Sequence, residues 1–236
     1  MTLRALIFDV DGTLADTEQN GHRPAFNAAF AEAGLSWAWD ETLYGELLRV
    51  TGGKERIRYY AARHDPACAA RPDFDELVRQ LHRTKTRHYQ ELVGTGAIPL
   101  RPGVASLILE ARGAGLRLAI ATTTTRENVS ALLEASLAPG STTWFEVIAA
   151  GDSVVAKKPA PDIYRYTLAQ LGLPAPACLA LEDSRQGLTA ALGAGIPTVV
   201  TVNDHSRDQD FSGALAVLPD LDAVNLAQLF RLHQAA

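Results

Sequence analysis

Cysteine is scarce in this chain. Of 236 residues only Cys68 and Cys178 are cysteines, far apart and in no C-x-x-C pair. That spacing supports neither a zinc site nor a thioredoxin-like motif, and two reduced thiols are expected. No uninterrupted apolar stretch approaches the roughly 18–20 residues of a membrane span. The N-terminal MTLRALIFDVDG turns acidic at Asp9, too early for a signal peptide. No Lys/Arg-rich stripe is present, which argues against a nucleic-acid surface. Internal repeats and low-complexity tracts are absent too. A soluble cytoplasmic protein is expected, with a small-molecule partner, no nucleic acid and no membrane, and a monomer as its state.

What the chain does contain is an ordinary globular balance. Hydrophobic residues make up 47% and charged residues 21%, enough to bury a core and to exclude disorder as the main state. Lys and Arg number 22 against 27 Asp and Glu, a formal net charge of -5. The length fits one large domain, or one domain with an insert.

Five apolar, β-forming runs punctuate the chain: Leu3–Val10, Leu116–Ala121, Glu146–Ala150, Cys178–Leu181 and Pro197–Val202, with a weaker sixth at Ala214–Leu218. Each reads as a buried strand of a parallel sheet. Helical patterns alternate with them at Val104–Gly113, Arg126–Ala135, Pro161–Leu171 and Ser184–Ala194. Pro102 precedes the first, a Thr-rich turn caps the second, and Gly172 and Gly195 close the last two. This alternation predicts an α/β, Rossmann-like doubly wound core. Residues 17–95 break it, with helical stretches at His22–Ala33, Asp40–Val50, Lys54–Arg63 and Asp73–Leu92 and no strand. Connections between strand and helix are normally short. An inserted α-helical cap over residues 17–95 is therefore expected, with the core formed by 1–16 and 96–236.

Ligands of open α/β sheets bind at the carboxyl ends of the strands. There the sequence places Asp9-Val10-Asp11-Gly12-Thr13, then Thr122-Thr123-Thr124, then Gly151-Asp152 with Lys157-Lys158-Pro159, then Glu182-Asp183-Ser184. Converging carboxylates repel one another unless a cation joins them, and hard oxygen donors suit Mg²⁺. A lysine and a hydroxyl beside such a metal suit a phosphate. Asp9, nearest its strand, is a candidate nucleophile, and Asp11, two residues on, reaches into the same space. Asp162 falls in a first helical turn, where a carboxylate complements the dipole. Asp152 is left unassigned.

DVDGT at Asp9–Thr13, Thr122 in LAIATT, the lysine of KKPAPDIY and LEDS at Leu181–Ser184 together resemble the four motifs of the haloacid-dehalogenase superfamily. The resemblance implies Asp9 as nucleophile and Asp11 as general acid/base. It implies Mg²⁺ held by Asp9, Asp11 (through its backbone carbonyl) and Asp183, with Glu182 a supporting or direct ligand. Thr122 and Lys158, the lysine before Pro159, would hold the transferring phosphoryl group, although Lys157 stands beside it.

The stretches DGTLADTEQNGHRPAFN, TGGKERI, LHRTKT, LRPGV and IATTTTRENV look like the CbbY subgroup, sugar-phosphate phosphatases linked to the Calvin cycle. That resemblance implies xylulose 1,5-bisphosphate as substrate, with Glu18, His22, Gly53, Lys54 and Lys85 as contacts. Arg56, Thr123, Thr124 and Arg126 are further binding candidates. The turn Thr51–Arg56 combines backbone amides with Lys54 and could hold a second phosphate. Relative to a mutase-like pattern, one extra residue precedes the histidine, so that Asn20-Gly21 leads into His22. A β-phosphoglucomutase-like mutase and a phosphoglycolate-type phosphatase remain open. So does a non-catalytic phosphate- or Mg²⁺-binding protein, against which the intact Asp9/Asp11 pair argues.

Overall fold

The computed structural model describes residues 2–235. Strand β1 (Ala5–Phe8) lies in the middle of a six-stranded parallel sheet. Its partners are β2 (Arg117–Ala121), β3 (Val147–Ala149), β4 (Cys178–Glu182), β5 (Thr198–Thr201) and β6 (Ala216–Leu218), in the order β3-β2-β1-β4-β5-β6. The sequence ALIF explains the central place of β1. Leu6 and Phe8 enter the apolar core on one face of the sheet, Ala5 and Ile7 the core on the other. A strand with no polar side can only sit inside a sheet covered on both faces.

Register sets what the strand ends present. Phe8 pairs with Ile120 on one side and Leu181 on the other. Asp9, Ala121 and Glu182 therefore come level at the carboxyl edge, where the strand order reverses. Helices α6 (Val104–Gly113), α7 (Arg126–Ser136), α8 (Asp162–Leu171) and α9 (Arg185–Gly193) make the crossovers, and α10 (Leu226–Gln234) packs beside α6. The sequence pattern anticipated the first four of these but not α10.

Between β1 and β2 no strand intervenes. Helices α1 (Arg23–Glu32), α2 (Glu41–Leu47), α3 (Gly53–His64), α4 (Pro66–Ala69) and α5 (Phe74–Gly94) gather around their own aromatic core. Trp39 sits at its centre, with ring centroids of Phe26, Phe30 and Tyr60 at 4.7, 4.8 and 5.4 Å. Asn27 pins the Trp39 backbone from both sides, donating to its carbonyl at 2.9 Å and accepting from its N–H at 2.8 Å. Helix α5 also reaches the sheet domain, where Tyr89 and Val93 join the larger core. Among the described residues no helix is long and apolar enough to cross a membrane.

One element departs from any α-helical reading. Glu18–His22 is a π-helix, with the Arg23 N–H bonded to the Glu18 carbonyl, an i to i+5 closure.

Candidate active site

The acidic cluster is built from two adjacent strands. Asp9 leaves β1 with its N–H bonded to the Leu181 carbonyl at 3.0 Å. Glu182 is the last residue of β4 and is wholly buried. Between them stands Lys158, whose Nζ donates to Asp9 Oδ1 and to Glu182 Oε1, both at 2.6 Å. The Tyr164 hydroxyl also donates to Glu182 Oε1. Helix α9 could not pack here with a side chain at Gly187, since a Cβ would stand 1.8 Å from Glu182 Oε2. Lys157 turns away and donates to the carbonyls of Gly151 and Val154. Lys158 is thus the lysine of this pair that faces Asp9.

Asp183 follows, its Oδ2 accepting from Asn203 Nδ2 at 2.7 Å. One oxygen each from Asp9, Glu182 and Asp183 lie within 4.8 Å of one another. Burial pushes the Asp9 carboxyl up to about 7 against the pull of Lys158, with Glu182 and Asp11 adding to the rise. Asp183 is raised well above the ordinary range by burial and by the charges of Asp9 and Glu182. Two buried carboxyls whose proton affinity is raised, crowded with a third and all oxygen donors, match what a hard divalent cation requires. Gly12 makes the approach possible. Its φ is +83° and a Cβ there would lie 2.3 Å from Asp183 Oδ2.

Asp11 belongs to a second network. Its Oδ1 accepts from Thr17 Oγ1 at 2.6 Å and contacts His22 Nε2 at 2.8 Å. His22 Nδ1 meets Lys85 Nζ at 2.7 Å, and the imidazole stacks on Tyr89 with centroids 4.3 Å apart. An ammonium can only donate, so Nδ1 accepts and Nε2 carries the proton given to Asp11. Burial would raise Asp11, but His22, Thr17 and Lys85 outweigh it and hold the acid at about 2. Lys85 is lowered to about 8, chiefly by burial, with Asp11 and Glu18 opposing.

That shift has a testable sign. Free lysine titrates near 10.4. Between about 8 and 10.4 the unfolded chain binds the proton that the folded chain has lost, so stability from this group rises with pH across that window. Urea unfolding of parent and Lys85→Met at pH 8 and pH 10 isolates it: the parent should gain stability relative to the variant across the window, against the opposite slope of the buried Cys178. An identical pH response in the variant would count against the burial of a charged Lys85.

Both networks open on one cavity of about 500 Å³, lined by Asp9, Asp11, Thr122, Thr123, Lys158 and Asp183 from the sheet domain. Glu18 and Arg56 line it from the helical segment, joined through Tyr44, whose hydroxyl donates to Glu18 at 2.5 Å and accepts from Arg56 at 2.7 Å. Asp9, with a free flank on this cavity, an ammonium on Oδ1 and Asp11 nearby, can act as a nucleophile toward an electrophilic phosphorus.

A family model of haloacid dehalogenase-like hydrolases matches residues 3–195. CbbY of Cupriavidus necator is 55% identical over 93% of this chain and 86% of its own length. CbbY of Rhodobacter capsulatus is 52% identical over 94% of this chain and 96% of its own length. The chain belongs to the CbbY group of haloacid dehalogenase-like hydrolases. It is accordingly an enzyme of the phosphoric monoester hydrolase type found in that superfamily. A solved CbbY from Rhodobacter sphaeroides in complex with phosphate superposes on this hydrolase with a TM-score of 0.88, at 46% identity, covering 97% of this chain and 99% of that one. The β-phosphoglucomutase of Clostridium difficile, with a TM-score of 0.79 at 20% identity and near-complete coverage (99% and 98%), shares the fold.

Six expected contacts do not line the cavity, and two of them, His22 and Lys85, are buried in the network behind Asp11. Lys54 does not line the cavity. On the first turn of α3 it points across to the sheet domain and bonds Asp152 at 3.1 Å. Gly53 packs under the His82 ring, 2.8 Å from where its Cβ would be. Thr124 is buried and accepts from Asn128 Nδ2, one turn into α7. Arg126 is exposed and donates to the Ile148 carbonyl at 3.2 Å. Asp162 lies in the first turn of α8. Asn203 was missed, although it follows the β5 run as the other site residues follow theirs. Arg49, Thr51 and Gln186 also line the cavity. Gln186 bridges the domains, donating to the Arg49 carbonyl at 2.8 Å and accepting from Thr51 Oγ1 at 3.1 Å.

Proposed function

We propose that this hydrolase is a Mg²⁺-dependent phosphatase that converts xylulose 1,5-bisphosphate to xylulose 5-phosphate through an aspartyl-phosphate. The observation that carries it is the opening of the Asp9–Lys158–Glu182 cluster and the Asp11–His22–Lys85 network onto one cavity. A mutant CbbY from Rhodobacter sphaeroides, 46% identical, has been crystallised with xylulose-(1,5)bisphosphate, which supports the choice of sugar. Residues 17–95 act as the cap that reads the sugar, through Glu18 and Arg56, with His22 positioning Asp11 from behind.

In this proposal an Asp9 oxygen attacks phosphorus, and the bond from phosphorus to the sugar oxygen breaks. Asp11 gives that oxygen a proton, its own proton affinity raised by the arriving anionic phosphate. Water then attacks the aspartyl-phosphate, Asp11 takes its proton, and Asp9 and inorganic phosphate are released. Lys158 and Thr122 hold the phosphoryl oxygens. Mg²⁺ would be held by Asp9 and Asp183, with the backbone carbonyl of Asp11 and support from Glu182, and would supply positive charge for the transferring group.

The test is a substrate panel run with and without EDTA. It contains xylulose 1,5-bisphosphate, ribulose 1,5-bisphosphate, 2-phosphoglycolate and β-glucose 1-phosphate, ranked by kcat/KM. Xylulose 1,5-bisphosphate is expected first, with turnover lost in EDTA and restored by Mg²⁺. Preference for phosphoglycolate, or glucose 6-phosphate appearing from β-glucose 1-phosphate, would replace the substrate assignment. Undiminished turnover in EDTA would remove the metal.

Lys54→Ala tests the cap. With Lys54 bonded to Asp152 outside the cavity, the variant should shift KM for the bisphosphate and for a small monophosphate alike, by no more than a few-fold. A selective rise for the bisphosphate would mean that Lys54 swings in to read the second phosphate.

A further inference from the structure

Arg101 is a buried cation that the chemistry above does not use. It is 8% exposed and almost saturated with oxygen acceptors. Nη1 donates to the Gly12 carbonyl and to the Thr201 carbonyl at 3.2 Å, with Thr201 Oγ1 at 3.3 Å. Nη2 donates to the carbonyls of Val202 at 2.6 Å and Pro219 at 3.0 Å. Nε lies 3.4 Å from the Asp16 carboxylate. Only a planar fork with several donors can span acceptors from three separate segments, and a lysine cannot.

The identity of those acceptors is the point. Gly12 follows Asp11 in the loop after β1, and its carbonyl direction orients the Asp11–Gly12 turn packed against Asp183. Val202 precedes Asn203, whose Nδ2 holds Asp183 Oδ2 at 2.7 Å and lies 3.4 Å from that same Gly12 carbonyl. One guanidinium therefore ties the loop carrying Asp11 to the loop that orients Asp183. Arg101 itself stands where the helical segment rejoins the sheet domain. Its N–H bonds the Leu14 carbonyl at 2.8 Å, and Leu100 bridges to Ala15.

We propose that Arg101 is a positioning residue for the acidic cluster: by clamping Gly12 and Val202 it sets the spacing between the Asp11 turn and Asp183, and with it the affinity for a divalent cation. The proposal rests on the metal assignment made above. Groups behind a metal's direct ligands typically govern affinity by about 10–100-fold.

Calorimetric titration of Mg²⁺ alone into the full chain tests it, alongside thermal unfolding. Arg101→Met is expected to weaken Mg²⁺ binding at least about 10-fold, with Arg101→Lys in between. At saturating Mg²⁺, the KM for substrate should stay near the parent value. If Arg101→Met lowers Tm yet binds Mg²⁺ as the parent does, the residue only supports the fold and the proposal is wrong. Should Arg101→Met not fold, Arg101→Lys decides by the same criterion, parent-like affinity again overturning it. A parent chain that takes up no Mg²⁺ defeats the metal assignment itself, which is a different result from parent and variant binding alike.

Discussion

Asp9→Asn is expected to lower kcat by at least about 10⁴-fold while leaving the fold intact. The substitution is nearly isosteric, and the backbone N–H of residue 9 still bonds the Leu181 carbonyl. An amide oxygen can go on accepting from Lys158, so the buried ammonium keeps two partners. What disappears is the carboxylate oxygen that would form the bond to phosphorus. Removing one member of a crowded acidic group also relieves repulsion on Asp183, which Asp9 helps to raise. Tm should therefore hold or rise slightly. Steady-state turnover with thermal unfolding checks both halves, and acid quenching during turnover should trap phosphoenzyme only in the parent. A variant with activity within 10-fold of the parent would sink the nucleophile assignment.

Lys158→Met should be the most destabilising single change at the site. Its ammonium is 2.6 Å from two carboxylates and 5% exposed. Deleting one partner of a buried ion pair costs about 3–5 kcal/mol, because the remaining charge is left uncompensated. For a chain of this size that corresponds to a Tm loss of roughly 10 °C. The loss has a pH dependence of definite sign. Asp9 is already raised to about 7 by burial with Lys158 present, and without it rises further. A carboxyl raised in the folded state contributes stability that is full below its unfolded pKa and is lost as pH climbs from there through its folded one. The variant's deficit should accordingly be smaller at pH 5 than at pH 8 in denaturant titrations without Mg²⁺. An equal deficit at both values would show that the Asp9–Lys158–Glu182 cluster is not the source.

Much of the site was legible because Asp9, Thr122 and Glu182 each stand where an apolar run ends. Once LRALIFDV reads as a buried strand, Asp9 has to emerge at its end, and register then sets it beside Glu182. Asn203 carries the same positional signal after PTVVTV, but an amide, neither acidic, basic nor hydroxylic, does not by itself point to this chemistry. The helical segment was harder. A helix offers every direction in turn, so Lys54 and Lys85 look equivalent in sequence. Only packing sends Lys54 out to Asp152 and buries Lys85 against His22. The extra residue before His22 would turn a regular helix by about 100°. Glu18–His22 is instead a π-turn, which no periodicity count reveals. Arg101 was invisible for a related reason, since its partners are carbonyls of distant segments and carry no side-chain signature.

The central place of β1 has a further consequence, for how the chain is made. Ala5–Phe8 leaves the ribosome before the other strands of the sheet, and its neighbours Arg117–Ala121 and Cys178–Glu182 lie more than a hundred residues later. At about 5–20 residues per second, this apolar strand waits on the order of ten seconds for its first partner. During that wait the intervening helices can condense around Trp39 on their own local contacts. Nascent β1 is thus the strand of this sheet that waits longest for its first neighbour, with both its edges open to non-native pairing meanwhile.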